Sequence, residues 1–223
     1  MKKLKIYEEA AFIIGILLLT AGVALTAKAD FGVSMVVAPA YILSLKFGFL
    51  SFGTAEYLLQ AVLLMLMCAA LGRFRIQYLF SFVTAVIYGF VLDGAMAVFS
   101  LLPADALYLR IIWYAAGIVL SAAGISLLLK SYLPPEVYEL IVKELSSKYN
   151  KSVAKVKTVY DISSLMVSAV LCLTLLGRLK GIGIGTIICT LVNGVIIGLF
   201  TRALDKRTLF APLFPKLKIF FEK

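Results

Sequence analysis

Six long apolar runs narrow what this chain can fold into more than any other feature. They cover residues 10–27, 52–71, 78–99, 111–129, 159–176 and 182–200. Each is close to the roughly 20 residues that an α-helix needs to cross about 30 Å of hydrocarbon. With 62% hydrophobic and 15% charged residues, the chain has too few polar residues to cover a water-soluble fold. We therefore predict an all-α integral membrane protein with six transmembrane helices.

Two shorter segments have a helical pattern that does not fit a simple span. Residues 34–45 form a short apolar run that contains Pro39, which favours a re-entrant or interfacial helix. Residues 134–150 carry apolar residues on one helical face and charged residues elsewhere. The apolar residues of that face are Val137, Leu140, Ile141 and Leu145. We expect this second segment to lie along the membrane surface.

The net charge of +10 reflects an excess of Lys and Arg, whose placement in the loops bears on the orientation of the chain. With six spans and a cytoplasmic N-terminus, 17 of the 22 Lys and Arg residues lie inside, as the positive-inside rule requires. A seven-span alternative, in which 34–45 crosses and the N-terminus is outside, also leaves most of them inside. We predict a bacterial plasma-membrane protein with both termini cytoplasmic and a basic tail at 203–223. Loop placement and anionic lipids explain the charge, so we expect no nucleic-acid partner.

The two halves of the chain align with each other, at an offset of 102 residues and then of 105. Four residues of the first span, Gly15, Gly22, Leu25 and Lys28, align with Gly117, Gly124, Leu127 and Lys130. We predict one membrane domain over 1–223, with repeats at 10–100 and 108–202. Each repeat has three spans and a short re-entrant or interfacial helix after its first span. Because three is odd, the second repeat enters the membrane from the opposite side, as in many secondary transporters.

Polar residues within the spans are the candidates for a binding site, because ionisable groups there are costly and tend to face a protein interior. Glu56 has Gln60 at i+4, and its repeat equivalent Asp161 precedes Ser164 on one face. Three further candidates lie on the third and sixth spans: Tyr88, Asp93 and Asn193. We predict that these side chains line a central substrate- or ion-binding cavity. The alternative is that Glu56 and Asp161 reach interfacial water or pair with Lys46 or Lys157.

Two lysines and several glycines complete the candidate set. Lys28 and Lys130 follow equivalent helices and are candidate site residues, although helix C-termini also favour cations as simple anchors. The glycines of the first and fourth spans, and the GxxxG pair Gly194 and Gly198, predict close helix packing. That packing joins the halves of one chain or two copies in a homodimer, and the sequence leaves both open.

Metal, cofactor and hydrolytic chemistry are not predicted. The chain has no histidine, and its three cysteines, Cys68, Cys172 and Cys189, lie far apart in apolar runs. The sequence contains no motif that pairs a catalytic nucleophile with a general base. We expect no cofactor, no metal and no enzymatic activity.

The pattern of small and charged residues resembles the YczE/YitT-like family of bacterial membrane proteins over about residues 10–202. The residues that carry this resemblance are Lys28, Asp30, Gly32, Ser34, Pro39, Leu50, Gly53, Thr54, Gly89, Asp93, Lys157, Asp161, Gly185, Thr186 and Ile187. The resemblance implies a multi-pass membrane protein and names no substrate. The charged segment 134–150 departs from the pattern.

These features favour a small secondary transporter, or a channel-like carrier, for a small polar or ionic solute. Its partners are then that solute and the membrane lipids. One alternative is a membrane-embedded binding module that needs partner subunits to move anything. Another is an accessory protein or enzyme of a biosynthetic pathway. A transporter predicts flux of the solute, a binding module predicts tight binding without flux, and an enzyme predicts that the molecule is chemically changed.

Overall fold

A computed structural model describes residues 4–222. Residues 1–3 and 223, which include Lys2 and Lys3 of the basic N-terminus, lie outside the described residues. The helices within the described residues are α1 (Glu8–Ala29), α2 (Ala38–Lys46), α3 (Phe52–Leu71), α4 (Ile76–Ser100), α5 (Leu107–Leu128), α6 (Val137–Tyr149), α7 (Val153–Leu171), α8 (Ile184–Arg207) and α9 (Pro215–Glu222). A π-helical turn, Cys172–Leu176, extends α7. The all-α prediction is confirmed.

Six of these helices are long and apolar enough to cross a membrane. They are α1, α3, α4, α5, α7 with its π turn, and α8, and they match the six predicted spans. Local signals fix the limits of α3. Its N-cap Ser51 accepts a hydrogen bond from the Thr54 N–H at 3.0 Å, and Gly72 ends it in the left-handed conformation that glycine adopts without strain. The six apolar helices indicate a multi-pass membrane protein.

The chain divides into two compact units. The first combines Met1–Ala29, Ala95–Pro134 and Ile187–Lys223, and the second combines Asp30–Gly94 and Pro135–Thr186. The first unit contains α1 and α5, together with two short strands, β1 (Leu4–Tyr7) and β2 (Thr208–Ala211), that pair in parallel. The second contains α2, α3, α6 and α7.

Glycines bring α1 and α5 into close contact within the first unit. A Cβ atom placed on Gly22 would lie 2.5 Å from the Gly117 carbonyl oxygen, and one on Gly15 would lie 3.0 Å from that of Gly124. The pairing of 15 with 124 and of 22 with 117 makes the two helices antiparallel. This contact lies within one chain, as one of the two predicted alternatives requires. Added Cβ atoms at Gly194 and Gly198 of α8 would meet no described atom within 4 Å.

In the first unit, hydrogen bonds and an ion pair connect the start of the described chain to its end. The Glu9 carboxylate accepts hydrogen bonds from the Leu213 and Phe214 N–H groups and from the Tyr132 hydroxyl, the last at 2.6 Å. Lys218 pairs with Glu8 at 2.9 Å. The predicted tail, 203–223, therefore includes the end of α8, β2 and α9 as ordered elements.

The short helices α2 and α6 lie beside the long helices of the second unit. At its end, α6 places Lys148 Nζ 2.5 Å from the Ala70 carbonyl oxygen near the end of α3. At its start, the Val137 N–H donates to Gln60 Oε1 of α3 at 3.0 Å. Thus α6 runs parallel to the second half of α3. This packing corrects the prediction that 134–150 lies along the membrane surface, because α6 runs beside a predicted span and both Glu136 and Glu144 are buried within the protein.

The other short helix, α2, has a corresponding arrangement along α7. The Ser164 hydroxyl donates to the Met35 carbonyl oxygen, just before α2, at 2.7 Å. Lys46, at the end of α2, donates to the Leu175 carbonyl oxygen at 2.8 Å. With nine residues, α2 is also too short to cross a bilayer, which disfavours the seven-span alternative.

Candidate functional site

A buried polar cluster joins the middle of α3 to the start of α6. The side chains of Glu56 and Gln60 are fully buried. The Tyr138 hydroxyl donates to Glu56 Oε2 at 2.6 Å, and Gln60 Nε2 donates to Glu136 Oε2 at 2.8 Å. We call Glu56, Gln60, Glu136 and Tyr138 the polar cluster.

The sequence explains why these four side chains meet. Glu56 and Gln60 are one turn apart and share a face of α3. The first N–H groups of any helix lack partners within that helix, and Gln60 Oε1 satisfies that of Val137. Glu136 is the N-cap residue of α6 and follows two prolines, which favour extended backbone. Its side chain makes no capping bond to its own helix and turns to Gln60 instead.

The polar cluster extends from about 6 Å along a predicted span, at Glu56, to near its middle, at Gln60. Gln60 is eight residues beyond Phe52 and 11 residues before Leu71, so it lies about 12 Å from one end of α3 and about 16 Å from the other. The start of α6 is therefore at a similar depth, far from either end of α3. A helix N-terminus at mid-depth directs its N–H groups and the positive end of its dipole into the protein interior.

Burial governs the electrostatics of the two cluster residues outside the spans. It raises the pKa of Glu136 well above the ordinary value of 4.5; the nearby carboxylates of Glu139 and Glu56 add to this, and the Gln60 amide opposes it. Burial also raises the pKa of the Tyr138 hydroxyl, with a further contribution from Glu56. Because Glu136 binds its proton more tightly when folded, its favourable contribution to stability is complete below about pH 4.5 and is lost as the pH rises through its folded-state pKa.

One oxygen of the polar cluster has no partner. Glu56 Oε1 is buried and accepts no hydrogen bond in the described part of the chain. Tyr88 of α4 is also buried and lies within electrostatic range of Glu56 and Glu136. The structure therefore brings together three of the predicted site residues, Glu56, Gln60 and Tyr88.

Asp161 and Ser164 of α7 form a separate group. Asp161 Oδ1 lies 3.5 Å from Lys157 Nζ, which is the pairing that the sequence offered as an alternative to a site role. Ser164 bonds to the Met35 carbonyl oxygen, as described above. Glu139, an exposed residue of α6, interacts electrostatically with both Lys157 and Asp161.

Asp93 caps a helix. Its carboxylate accepts hydrogen bonds from the Ser51 hydroxyl at 2.5 Å and from the Gly53 N–H at 2.7 Å, at the N-terminus of α3. A carboxylate at that position satisfies free N–H groups and complements the helix dipole. This structural role accounts for the polar contacts that Asp93 makes.

The three remaining predicted residues lie in the first unit. Lys28 Nζ donates to the Ser100 carbonyl oxygen at 2.8 Å, and Lys130 pairs with Asp205 at 2.5 Å. Both contacts join the end of one helix to the end of another. Asn193 lies on α8, and its buried Oδ1 accepts no hydrogen bond among the described residues.

The polar cluster contains two residues that sequence reasoning missed as site residues, Glu136 and Tyr138. Of the apolar face predicted for 134–150, Val137, Leu140 and Ile141 are buried within the protein and Leu145 is partly buried, and the buried face also includes Tyr138 and Glu144. One available signal was the repeat, which aligns 134–150 with the apolar segment 34–45. Within residues 4–222, no group of three or more His, Cys, Asp or Glu side chains is placed to hold a metal ion.

Comparison with known proteins places the chain among families without an assigned activity. The model of a family of unknown function, DUF6198, matches residues 6–202. The chain is 28% identical over 201 residues to "Uncharacterized protein YyaS" of Bacillus subtilis (strain 168), which covers 88% of this chain and 93% of that protein. No solved structure gives a significant match.

Proposed function

Because the chain belongs to DUF6198, a family of unknown function, its activity must be inferred from its site, and we propose that it is a small secondary transporter. The observation that carries this proposal is the polar cluster. Two buried carboxylates lie within the depth of a predicted span, Glu56 about 6 Å along α3 and Glu136 beside Gln60, about 12 Å along it. Ionisable groups cost roughly 2.5–3.5 kcal/mol at the centre of a span, so they usually mark a path for an ion or solute. The proposed cargo is a small polar or ionic solute.

Reciprocal contacts support inverted halves. The Lys46 ammonium binds the Leu175 carbonyl oxygen, and the Lys148 ammonium binds that of Ala70. Residues 46 and 148 are repeat equivalents at the offset of 102, and residues 70 and 175 are equivalents at the offset of 105. Such exchanged pairs arise when a two-fold axis relates two copies of one arrangement.

The glycine contacts of the first unit have the same reciprocity. In the repeat alignment Gly15 is equivalent to Gly117, and Gly22 to Gly124. The contacts are exchanged between these pairs, because Gly15 packs against Gly124 and Gly22 against Gly117. Because the equivalent helices α1 and α5 are antiparallel, an axis relating them is perpendicular to both helices. In a membrane such an axis lies in the membrane plane, which is the symmetry of many alternating-access transporters.

The two short helices also support transport. Both begin beside the middle of a long helix and end beside its end, which is the geometry of re-entrant half-helices. Irregular backbone at membrane depth is tolerated where it is buried in protein or lines a water-filled cavity. The resemblance to YczE/YitT-like proteins agrees with this architecture and adds no substrate.

The test is flux through the purified protein in liposomes. We expect charge movement across the liposome membrane for at least one member of a panel of inorganic cations, small amines and amino acids. Glu56→Gln should reduce that flux at least about tenfold, since it removes the buried charge. Asp205→Asn, at the exposed end of α8, is the matched control and should retain flux.

Two results would contradict transport. Tight binding of one panel member without flux would identify a binding module that depends on partner subunits. Conversion of a panel member into another molecule would identify an enzyme.

A further inference from the structure

We propose that Glu136 is a second site residue and that Glu56 and Glu136 together hold one exchangeable proton. This inference deepens the proposed transport function, on which its role in coupling rests. The proton site itself requires no flux. Binding adds one proton to Glu56 Oε1, changes the charge of the pair from −2 to −1, and makes or breaks no other covalent bond.

The hydrogen bonds of the polar cluster hold the two carboxylates in place and leave one oxygen free. Gln60 donates from Nε2 to Glu136 and accepts at Oε1 from the Val137 N–H, and its side chain also interacts with the Glu56 carboxylate. Glu56 Oε2 receives the Tyr138 hydroxyl, whereas the buried Glu56 Oε1 has no partner. Unpartnered buried oxygens are rare in native proteins and call for an explanation, such as a bound proton, ion or water.

The charges around the pair point to a positive ligand. The titratable groups that face it are Tyr88 from α4, Tyr138 and Glu139 from α6, and Tyr160 from α7. Each is neutral or acidic at neutral pH. No Lys or Arg of the described chain forms an ion pair with Glu56 or Glu136. Lys157 of the neighbouring helix α7 pairs with Asp161. Two buried carboxylates without a countercharge cannot both remain ionised, and they titrate as a coupled pair.

The number of free oxygens favours a proton over a metal cation. Hard cations in proteins take about six oxygen ligands. Three oxygens of the polar cluster, Gln60 Oε1, Glu56 Oε2 and Glu136 Oε2, already accept hydrogen bonds. The described residues also lack any group of three acidic side chains that could hold a metal. A proton needs only one acceptor, which Glu56 Oε1 supplies.

A polar route leads from the pair toward one end of α7. Tyr138, which bonds to Glu56, packs against Tyr160 with ring centroids 6.2 Å apart. One turn from Glu136 along α6, the exposed Glu139 lies near Lys157 and Asp161. Glu139 and Lys157 are exposed and Asp161 is partly buried, so these three charged residues form the outer end of the route. The adjoining loop is basic, so the positive-inside rule predicts that this end is cytoplasmic.

The test is an infrared pH titration of the purified protein in lipid, without any transported solute. A protonated carboxyl group has a C=O stretching band that a carboxylate lacks. We expect this band to persist well above pH 4.5, the ordinary value for glutamate, and to shift in D2O because the proton exchanges. Glu56→Gln and Glu136→Gln should each remove the band or move its midpoint by at least one pH unit.

Further variants keep the result interpretable. Glu144→Gln lies on the same helix, about 12 Å from Glu136 along its axis, and weakens contacts with Arg73 and Tyr78, so the band should be unchanged. Tyr138→Phe removes the hydroxyl that stabilises ionised Glu56, so the midpoint should rise. Glu139→Gln should slow exchange into D2O while leaving the band in place. A monodisperse profile shows that each variant folds.

The outcomes separate the two proposals. A band that is absent above pH 4.5, or that survives both glutamate variants, overturns the proton site. A midpoint that falls when Na+ replaces choline also overturns it, in favour of a Na+ site. If the band behaves as expected and the wild type shows no flux, the proton site stands and transport fails. Flux that is indifferent to pH and to both variants supports transport and overturns the role of the pair in coupling.

Discussion

Replacement of Gln60 by methionine is expected to lower the free energy of unfolding by about 3 kcal/mol. The side chain is fully buried, and its amide serves both Glu136 and the Val137 N–H. Methionine fills a similar volume but leaves a buried carboxyl group and a buried N–H without partners. Each unsatisfied buried group costs about 1–3 kcal/mol. Equilibrium unfolding in mixed micelles measures the difference.

A double variant isolates the polar contribution. Removing both partners of a buried hydrogen bond costs less than removing one, so Gln60→Met combined with Glu136→Met should cost less than the sum of the single changes. Leu58→Met, on an exposed face of the same helix, is the control and should cost under about 0.5 kcal/mol. Additive single changes would show that Gln60 and Glu136 do not interact.

Gly53→Ala is the second change with a large expected effect, again about 3 kcal/mol. A Cβ atom on Gly53 would overlap the carbonyl group of Gly89 and approach Asp93 Cγ to 2.8 Å. Both obstacles are fixed, one by the α4 backbone and the other by its hydrogen bonds to the start of α3. Overpacking of this kind typically costs about 1–3 kcal/mol or more, because the two helices must separate. Thermal and chemical unfolding in detergent both report it.

Gly94→Ala is the matched control for this packing contact. It lies on α4 next to Asp93, and a Cβ atom there would meet no described atom within 4 Å. Since alanine favours the helix by about 1 kcal/mol relative to glycine, this variant should be as stable as the wild type or more so. An equal loss of stability in the two variants would show that Gly53 does not mediate close packing.

The spans could be predicted from the sequence because their signal is local. An apolar run of about 20 residues reports its own environment, whatever the rest of the chain does. The limits of α3 were also local, set by Ser51 at one end and Gly72 at the other. The prediction of a helix over 34–45 follows from the same kind of pattern, and its nine-residue length in the structure explains why it cannot span.

The position of α6 could not be predicted from its own residues. Its charges indicated a surface helix, yet Glu144 pairs with Arg73 and Lys148 binds the Ala70 carbonyl oxygen, each more than 70 residues away in sequence. Such distant partners leave no local pattern. The alignment of 134–150 with the apolar segment 34–45 predicts that neither segment crosses, although it is also the one sequence signal that α6 could be buried.

The site residues show the same difference between local patterns, which the sequence reveals, and contacts between distant residues, which it does not. The i, i+4 spacing of Glu56 and Gln60 correctly placed both on one buried face. Glu136 was missed because an acidic residue in a charged segment gives no sign that it is buried. Asp93 was singled out because it lies within a span, whereas its observed partners, Ser51 and Gly53, become visible only once α3 and α4 pack.

Membrane sidedness tests the inverted architecture most directly. Phe49 follows α2, Lys151 follows α6, and the two positions are repeat equivalents that are both exposed. Single cysteines at Phe49 and Lys151, in a background with alanine at Cys68, Cys172 and Cys189, are treated with a thiol reagent that cannot cross the membrane. We predict that the reagent labels the two positions from opposite sides. Labelling of both from the same side would contradict inverted halves and, with them, the proposed alternating access.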